Sequence, residues 1–207
     1  MRKNKPLFVS FEGPEASGKS SQIILLKNFL IKNKIPYTVT REPGGTIISE
    51  KLRNIILQKK NNITNLEEIL LLMAARLNHI NQVIEPNLKK GKLVISDRFA
   101  DSTFVYQGFV NGFGIKKIQK LHKDLLNNFL PTKTFLFKLP SNEIIKRLNK
   151  RKIKNKYDIK DIQFHNKIAL GYKQISNNKR FTLINGLMSK DKIHKKILKT
   201  LGLQINE

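Results

Sequence analysis

The chain has 207 residues but no cysteine, no tryptophan and no long apolar run. The lack of cysteine excludes disulfides, thiolate metal sites and a cysteine nucleophile, and it is compatible with a reducing cytoplasm. The longest apolar run, residues 69–75, is far shorter than the roughly 18 residues that a membrane span requires. We therefore expect a soluble, cytoplasmic protein that has no membrane partner.

Acidic residues are also scarce, with 15 against 40 basic ones, so the net charge is +25. Such a charge is typical of proteins that bind nucleic acid or an anionic membrane. Most of the basic residues are lysines spread along the whole chain, and aromatic residues do not alternate with them as stacking platforms for bases would. We therefore interpret the charge as solvated surface and expect no specific nucleic-acid partner.

Short β-rich segments alternate with longer helical patterns, which is typical of a parallel sheet with helices on both faces. The predicted strands are residues 7–11, 37–41, 93–97, 134–138 and 181–184. The predicted helices are residues 19–33, 46–59, 66–90, 115–128, 141–151, 159–176 and 190–201. The sequence thus predicts a single α/β domain over residues 1–207, built on a five-stranded parallel sheet.

A glycine-rich GxxxxGKS motif lies between the first predicted strand and the first predicted helix. In this setting backbone N–H groups converge on a phosphate chain, Lys19 reaches the β- and γ-phosphates, and the Ser20 hydroxyl ligates Mg²⁺. The motif therefore predicts a site for a nucleoside triphosphate. The predicted triphosphate-binding residues here are Gly13, Pro14, Glu15, Ala16, Ser17, Gly18, Lys19, Ser20 and Ser21.

Charged residues follow the next two predicted strands, at the edge of the sheet where ligands of such folds bind. Asp97 ends the third strand, so we expect its carboxylate near Lys19 and Ser20, holding Mg²⁺ through water. Arg41 and Arg98 each follow a strand. Because guanidinium groups bind phosphate bidentately, these arginines predict a second phosphate-bearing ligand opposite the triphosphate.

A basic low-complexity segment spans residues 147–160. We predict a flap that closes over the triphosphate and excludes water, and a solvated loop is the alternative. The four histidines show no spacing typical of metal ligands, so we assign them to packing or surface positions.

The phosphate loop, residues 13–20, and several later segments resemble the thymidylate kinase family, which phosphorylates dTMP to dTDP with ATP. They are FEGPEASGKS at 11–20, TREPGGT at 40–46, EKLR at 50–53, AAR at 74–76, SDR at 96–98 and DSTFVYQG at 101–108. The resemblance weakens after about residue 150. It implies a P-loop nucleoside monophosphate kinase-like fold with a short basic lid, ATP with Mg²⁺, and a homodimer formed through the apolar helices of residues 66–128.

The resemblance also implies the residues of the acceptor site. Arg41 and Arg98 would hold the dTMP phosphate, Arg76 would hydrogen-bond the thymine edge, and Tyr106 would crowd the 2′ side of the sugar. Glu15 would meet the sugar hydroxyl. The remaining implied dTMP-binding residues are Arg53, Leu72, Ser102 and Gln107.

The cation nearest the transferred phosphoryl group is implied to come from the flap. Ala16 stands where some family members carry an arginine, so Arg151 is the best match for this role and Arg147 the second. With Lys19 and Arg98, Arg151 completes the predicted catalytic residues. No general base is needed, because a phosphate monoester with a second pKa of ~6 is largely a dianion near neutrality.

Two alternatives stay open. Leu72 stands where the family usually has a phenylalanine that stacks on the base, which suggests a kinase for another nucleoside monophosphate or for a nucleoside. An ATP-responsive nucleic-acid-binding protein that uses the net charge of +25 is the alternative of a different class.

Overall fold

The structure is a computed structural model and describes residues 7–58, 60–150, 157 and 159–203. Its strands are β1 Phe8–Glu12, β2 Tyr37–Arg41, β3 Leu93–Asp97, β4 Lys133–Lys138 and β5 Phe181–Asn185. These five strands form one parallel sheet in the order β2-β3-β1-β4-β5. The predicted α/β fold with a five-stranded parallel sheet is therefore confirmed.

Helices connect the strands. They are α1 Lys19–Lys32, α2 Ile47–Leu57, α3 Asn65–His79, α4 Glu85–Lys89, α5 Ala100–Thr103, α6 Ile115–Leu126, α7 Ser141–Asn149, α8 Ile162–Ile175 and α9 Lys190–Leu201. Two π-helical segments, Ile80–Ile84 and Phe104–Val110, continue α3 and α5. In the described part of the chain, no helix is both long and apolar enough to cross a bilayer.

The sequence predictions match these elements to within two residues at each end, except in three places. The predicted helix 66–90 is α3, a π-helical segment and α4 in succession. The predicted helix 159–176 begins only at Ile162, because the Asp161 side chain accepts a hydrogen bond from Phe164 N (2.8 Å) and caps α8. The helical stretch 100–110 was not predicted, because its aromatic and β-branched residues have low helix propensity.

Apolar side chains cover both faces of the sheet, because successive residues of a strand point to opposite sides. On β1, Val9 and Phe11 pack with residues of α1 and α9, whereas Phe8 packs on the other face with residues of α3 and α6. Burial of each such side chain contributes roughly 1.5–3 kcal/mol. The sheet is therefore a rigid support for the residues that directly follow its strands.

The strand register brings three strand ends to one level. Asp97 of β3 pairs with Arg41 of β2 and with Phe11 of β1. The residues that directly follow β1, β2 and β3 consequently meet at one edge of the sheet, as in other open parallel sheets.

Candidate active site

A cavity of about 480 Å³ opens at this edge of the sheet. Its lining includes most of the predicted site: Glu15, Ala16, Ser17, Gly18, Lys19, Ser20, Ser21, Arg41, Arg53, Leu72, Arg76, Asp97, Arg98, Ser102, Tyr106, Gln107 and Arg147. Gly13 and Pro14, which were also predicted, do not line the cavity. Arg151, the third predicted catalytic residue, lies outside the described residues.

The phosphate loop takes its shape from residues with positive φ. Gly13 has φ 132°, and a Cβ at this position would lie 2.5 Å from the Phe137 carbonyl oxygen, so only glycine fits. Gly18 has φ 101° and precedes the first residue of α1. The free N–H groups and the dipole at this helix start favour an anion.

Lys19 lies inside the loop and is only 7% exposed. Its Nζ donates to the carbonyl oxygens of Gly13 (3.1 Å) and Pro14 (2.7 Å). Burial and the nearby charge of Arg98 lower the pKa of Lys19 to about 8. An anion bound in the loop would offset this burial, because it would place negative charge next to the ammonium group.

Ser20 and Asp97 lie together at the ends of the loop and of β3. The Ser20 hydroxyl donates to Asp97 Oδ2 at 3.0 Å. A hydroxyl and a carboxylate are oxygen ligands of the kind that Mg²⁺ prefers. No group of three or more His, Asp or Glu side chains that could hold a metal occurs among the described residues. These two residues therefore fit an ion that takes its other ligands from phosphates and water.

Arg98 joins the phosphate loop to the rest of the cavity. Its Nη1 donates to the Gly13 carbonyl oxygen (2.9 Å) and to Ser102 Oγ (3.0 Å), and its Nη2 pairs with Glu15 Oε1 (2.9 Å). The Tyr106 hydroxyl donates to both Glu15 oxygens at 2.9 Å. Burial alone would raise the pKa of Glu15, but the charges of Arg98 and Lys19 outweigh it and lower that pKa, so the carboxylate stays ionised.

Glu12 supports the turn that carries Arg98, and sequence reasoning missed it. The side chain is fully buried, and it accepts from Phe99 N (2.6 Å), Ser102 Oγ (2.6 Å) and Tyr172 OH (3.0 Å). Burial and the neighbouring Asp101 charge raise the pKa of Glu12 to about 7. A carboxylate at the end of an apolar strand, directly before the phosphate loop, was the signal in the sequence.

A buried network of hydrogen bonds holds the Arg76 side chain. Its Nε donates to Glu42 Oε2 (2.8 Å) and its Nη2 to Thr103 Oγ1 (2.8 Å). His79 Nδ1 contacts Glu42 Oε1 (3.0 Å), and its Nε2 contacts Thr40 Oγ1 (2.6 Å). His79 is therefore a member of a polar network, a more specific position than the packing or surface position expected for the histidines. Arg76 Nη1 is buried and has no hydrogen-bond partner within the described ranges.

Leu72 and Gln107 also line the cavity. Leu72 is 7% exposed and presents an apolar surface without an aromatic ring. Gln107 Nε2 donates to Glu68 Oε1 (2.8 Å), and the Tyr157 hydroxyl donates to the same oxygen (2.7 Å). The Tyr157 ring meets the Tyr106 ring edge to face at 5.3 Å. Glu68 and Tyr157 are further residues that sequence reasoning missed.

Arg41 and Arg53 lie at the mouth of the cavity. The Arg41 side chain is 55% exposed and forms a bidentate pair with Glu50 (3.1 and 2.8 Å). Arg53 Nη1 donates to the Pro43 carbonyl oxygen at 2.7 Å. Arg41 is thus held by a carboxylate on α2 while its guanidinium still lines the cavity.

Arg147 is the predicted flap arginine that the structure describes. It ion-pairs with Glu143 one turn earlier in α7 (2.8 Å), and its Nη1 donates to the Ala16 carbonyl oxygen of the phosphate loop (3.3 Å). Arg147 therefore contacts the phosphate loop, and its side chain forms part of the cavity lining.

Comparison with known proteins gives one consistent result. A sequence model of the family described as thymidylate kinase matches residues 11–197. The thymidylate kinase of Rickettsia canadensis is 44% identical over 170 residues, which cover 82% of this chain and 83% of that protein. The thymidylate kinase of Bacillus velezensis is 34% identical over 201 residues, which cover 95% of both.

The solved structures agree. The crystal structure of thymidylate kinase from Ehrlichia chaffeensis is 29% identical and superposes with a TM-score of 0.77, covering 97% of this chain and 100% of that one. The family match includes every residue placed at the cavity above.

Proposed function

The chain belongs to the thymidylate kinase family, and we propose that its cavity transfers the γ-phosphoryl group of ATP to dTMP through the residues described above. One observation carries the assignment of roles. A single cavity is lined by the phosphate loop with Lys19, by the buried polar groups of Arg76 and Gln107, and by Arg98, which hydrogen-bonds to the loop at Gly13 and Glu15. That arrangement suits two nucleotides that meet phosphate to phosphate.

The phosphate loop holds the triphosphate in this proposal. The N–H groups at the start of α1 and the Lys19 ammonium bind the β- and γ-phosphates. Ser20 and Asp97 would hold Mg²⁺, directly or through water, since a hydroxyl and a carboxylate suit a hard cation and their oxygens lie 3.0 Å apart. When bound, the ion supplies positive charge that offsets the charge of the triphosphate.

Arg98 and Arg41 bind the acceptor phosphate. Arg98 touches the phosphate loop and lines the cavity, so its charge acts on both the donor and the acceptor. Repulsion between two polyanions is the main obstacle to their meeting, and fixed cations in a partly buried site reduce it. The acceptor is already largely a dianion near neutral pH, so no residue has to remove a proton.

The remaining residues position the nucleoside of the acceptor. Glu15 accepts a hydrogen bond from its sugar hydroxyl, and the Tyr106 ring, held by Glu15, closes the 2′ side of the sugar. Arg76 Nη1, which is buried without a partner in the described part of the chain, donates to the base. Leu72 packs on the base through apolar contact alone.

The flap supplies the cation nearest the transferred group. Arg147 lies against Ala16 of the phosphate loop, which supports this role for it. Arg151, which lies outside the described residues, stays the first choice from the family resemblance. In Arg151→Ala, turnover should fall more than dTMP affinity does, and a loss of acceptor affinity alone would move Arg151 to the acceptor site.

We also propose that the enzyme is a cytoplasmic homodimer. Leu66, Leu70 and Leu77 lie at helical spacing along one side of α3 and are 45–52% exposed. An apolar stripe of this kind is suited to a second copy of the chain. Light scattering on a size-exclusion column should give the mass of a dimer for the natural protein and a lower mass for Leu70→Glu.

A screen of acceptors tests the function. Purified protein with Mg²⁺ and ATP is assayed for ADP release with dTMP, dUMP, dCMP, dGMP and dAMP. We expect dTMP to give the highest kcat/KM. Preference for another acceptor would point to the alternative that Leu72 suggests, and no ADP release with any of them would overturn the proposal.

A further inference from the structure

We propose that Glu68 is a positioning residue that selects the base by holding the Gln107 side-chain amide in one orientation. The inference rests on the proposed function and extends it to the choice between pyrimidine bases. Glu68 lies on α3 with only 6% of its surface exposed, behind the wall of the cavity that Gln107 forms.

The contacts of Glu68 define the orientation of the amide. Glu68 Oε1 accepts from Gln107 Nε2 at 2.8 Å and from the Tyr157 hydroxyl at 2.7 Å. Burial, followed by the nearby Glu68 charge, raises the pKa of Tyr157 well above its ordinary value, so the phenol stays a donor. A carboxylate only accepts hydrogen bonds, so a reversed Gln107 would place its carbonyl oxygen against Glu68. The amide oxygen of Gln107 is therefore the end that remains for a ligand in the cavity.

The result is a pocket wall with one donor and one acceptor. Arg76 Nη1 is a buried donor without a partner in the described ranges, and Gln107 adds the acceptor. Thymine offers the complementary edge, with O4 as acceptor and N3–H as donor. Cytosine offers the opposite edge, with its amino group as donor and N3 as acceptor. Uracil shares the edge of thymine and differs from it in the 5-methyl group.

Glu68→Gln tests the inference. The new amide keeps the size of the side chain but can donate to the Gln107 oxygen, which lets Gln107 turn its NH₂ group toward the base. We expect the ratio of kcat/KM for dTMP over dCMP to fall about tenfold or more, since leaving a buried polar group mismatched is costly. The ratio for dTMP over dUMP should stay unchanged, because both bases present the same edge. A general loosening of the site would change both ratios.

Glu67→Gln is the matched control. Glu67 is the neighbouring carboxylate of α3 and accepts from Thr64 N (2.6 Å) in a capping box, a role that glutamine also fills. This variant loses the same charge from the same helix but leaves the contact with Gln107 intact. We therefore expect the same ratio of kcat/KM for dTMP over dCMP as in the natural enzyme. Thermal unfolding of both variants establishes that each is folded.

A double-mutant cycle shows whether Glu68 acts through Gln107. In a Gln107→Leu background, Glu68→Gln should no longer change the ratio of dTMP to dCMP. An unchanged ratio in Glu68→Gln alone, or an equal change in the Gln107→Leu background, would overturn this inference and leave the proposed function intact. A natural enzyme that phosphorylates neither dTMP nor dCMP would overturn the proposed function and this inference with it.

Discussion

The buried ion pair between Arg76 and Glu42 offers the sharpest test of the forces that hold the site. The two side chains are 2% and 4% exposed, and Arg76 Nε lies 2.8 Å from Glu42 Oε2. Glu42→Gln keeps the shape and one acceptor but removes the charge that balances the buried guanidinium. Loss of one partner of a buried pair costs about 3–5 kcal/mol. Because glutamine keeps one acceptor, we expect the free energy of unfolding of this variant to fall by ~3 kcal/mol.

Urea unfolding followed by circular dichroism measures this change in the free energy of unfolding. The control is Asp124→Asn, which breaks the Lys120–Asp124 pair, whose side chains are 77% and 49% exposed. Water screens that pair, so we expect no measurable change in the midpoint. Equal midpoints for Glu42→Gln and Asp124→Asn would refute the reasoning, because burial would then not decide the cost.

The same variant has a pH dependence and a kinetic effect. Burial by itself would raise the pKa of Glu42, but the charge of Arg76 and the hydrogen bond from His79 outweigh it, so the pKa lies below its ordinary 4.5. A lowered carboxyl pKa adds to the free energy of unfolding above pH 4.5, and this contribution is lost as the pH falls through the pKa of the folded state. The difference in the free energy of unfolding between the natural protein and Glu42→Gln should therefore shrink as the pH falls through the folded-state pKa of Glu42. In kinetics, KM for dTMP should rise while KM for ATP stays the same.

Three further predictions concern the phosphate side of the cavity. Lys19→Ala should lower kcat by at least ~10²-fold with an unchanged circular dichroism spectrum, and near-normal turnover would remove Lys19 from its proposed role. Gly13→Ala should destabilise the fold by about 3 kcal/mol or more in urea unfolding, because its Cβ would meet the Phe137 carbonyl oxygen. Gly91→Ala, where φ is 73° but no atom lies within 4 Å, should cost only about 1 kcal/mol, and an equal cost at both sites would contradict the steric argument. Asp97→Asn should raise the Mg²⁺ concentration needed for half-maximal rate, and an unchanged magnesium titration would place the ion elsewhere.

The fold was largely predictable from the sequence. Short runs of β-branched and aromatic residues predict the strands. The GxxxxGKS motif predicts the phosphate loop, because the local backbone conformation of the loop requires its glycines. The π-helical segment Phe104–Val110 was not predictable in this way, because packing against α6 and α8 overrides the propensities of its residues.

The candidate site, like the fold, was predictable only in part. Lys19, Asp97 and Arg98 follow strands, and the ends of parallel strands meet at one edge, so sequence reasoning could place them together. Three acidic residues that support the site were assigned no role. Glu12 supports the turn that carries Arg98, Glu42 pairs with Arg76, and Glu68 accepts from the Gln107 amide. Their partners lie 34 to 160 residues away along the chain, and a single sequence does not show which of these distant residues pair.

The sequence by itself determined the order of strands and helices and the chemistry of the phosphate loop, because both depend on residues within a few positions of one another. Only the tertiary structure decided which side chains support the phosphate loop and Gln107, and which hydrogen-bonding groups remain directed into the cavity. Those outcomes depend on burial, which makes an unpaired charge or a misdirected amide costly. Burial is a property of the packed chain and of no single segment.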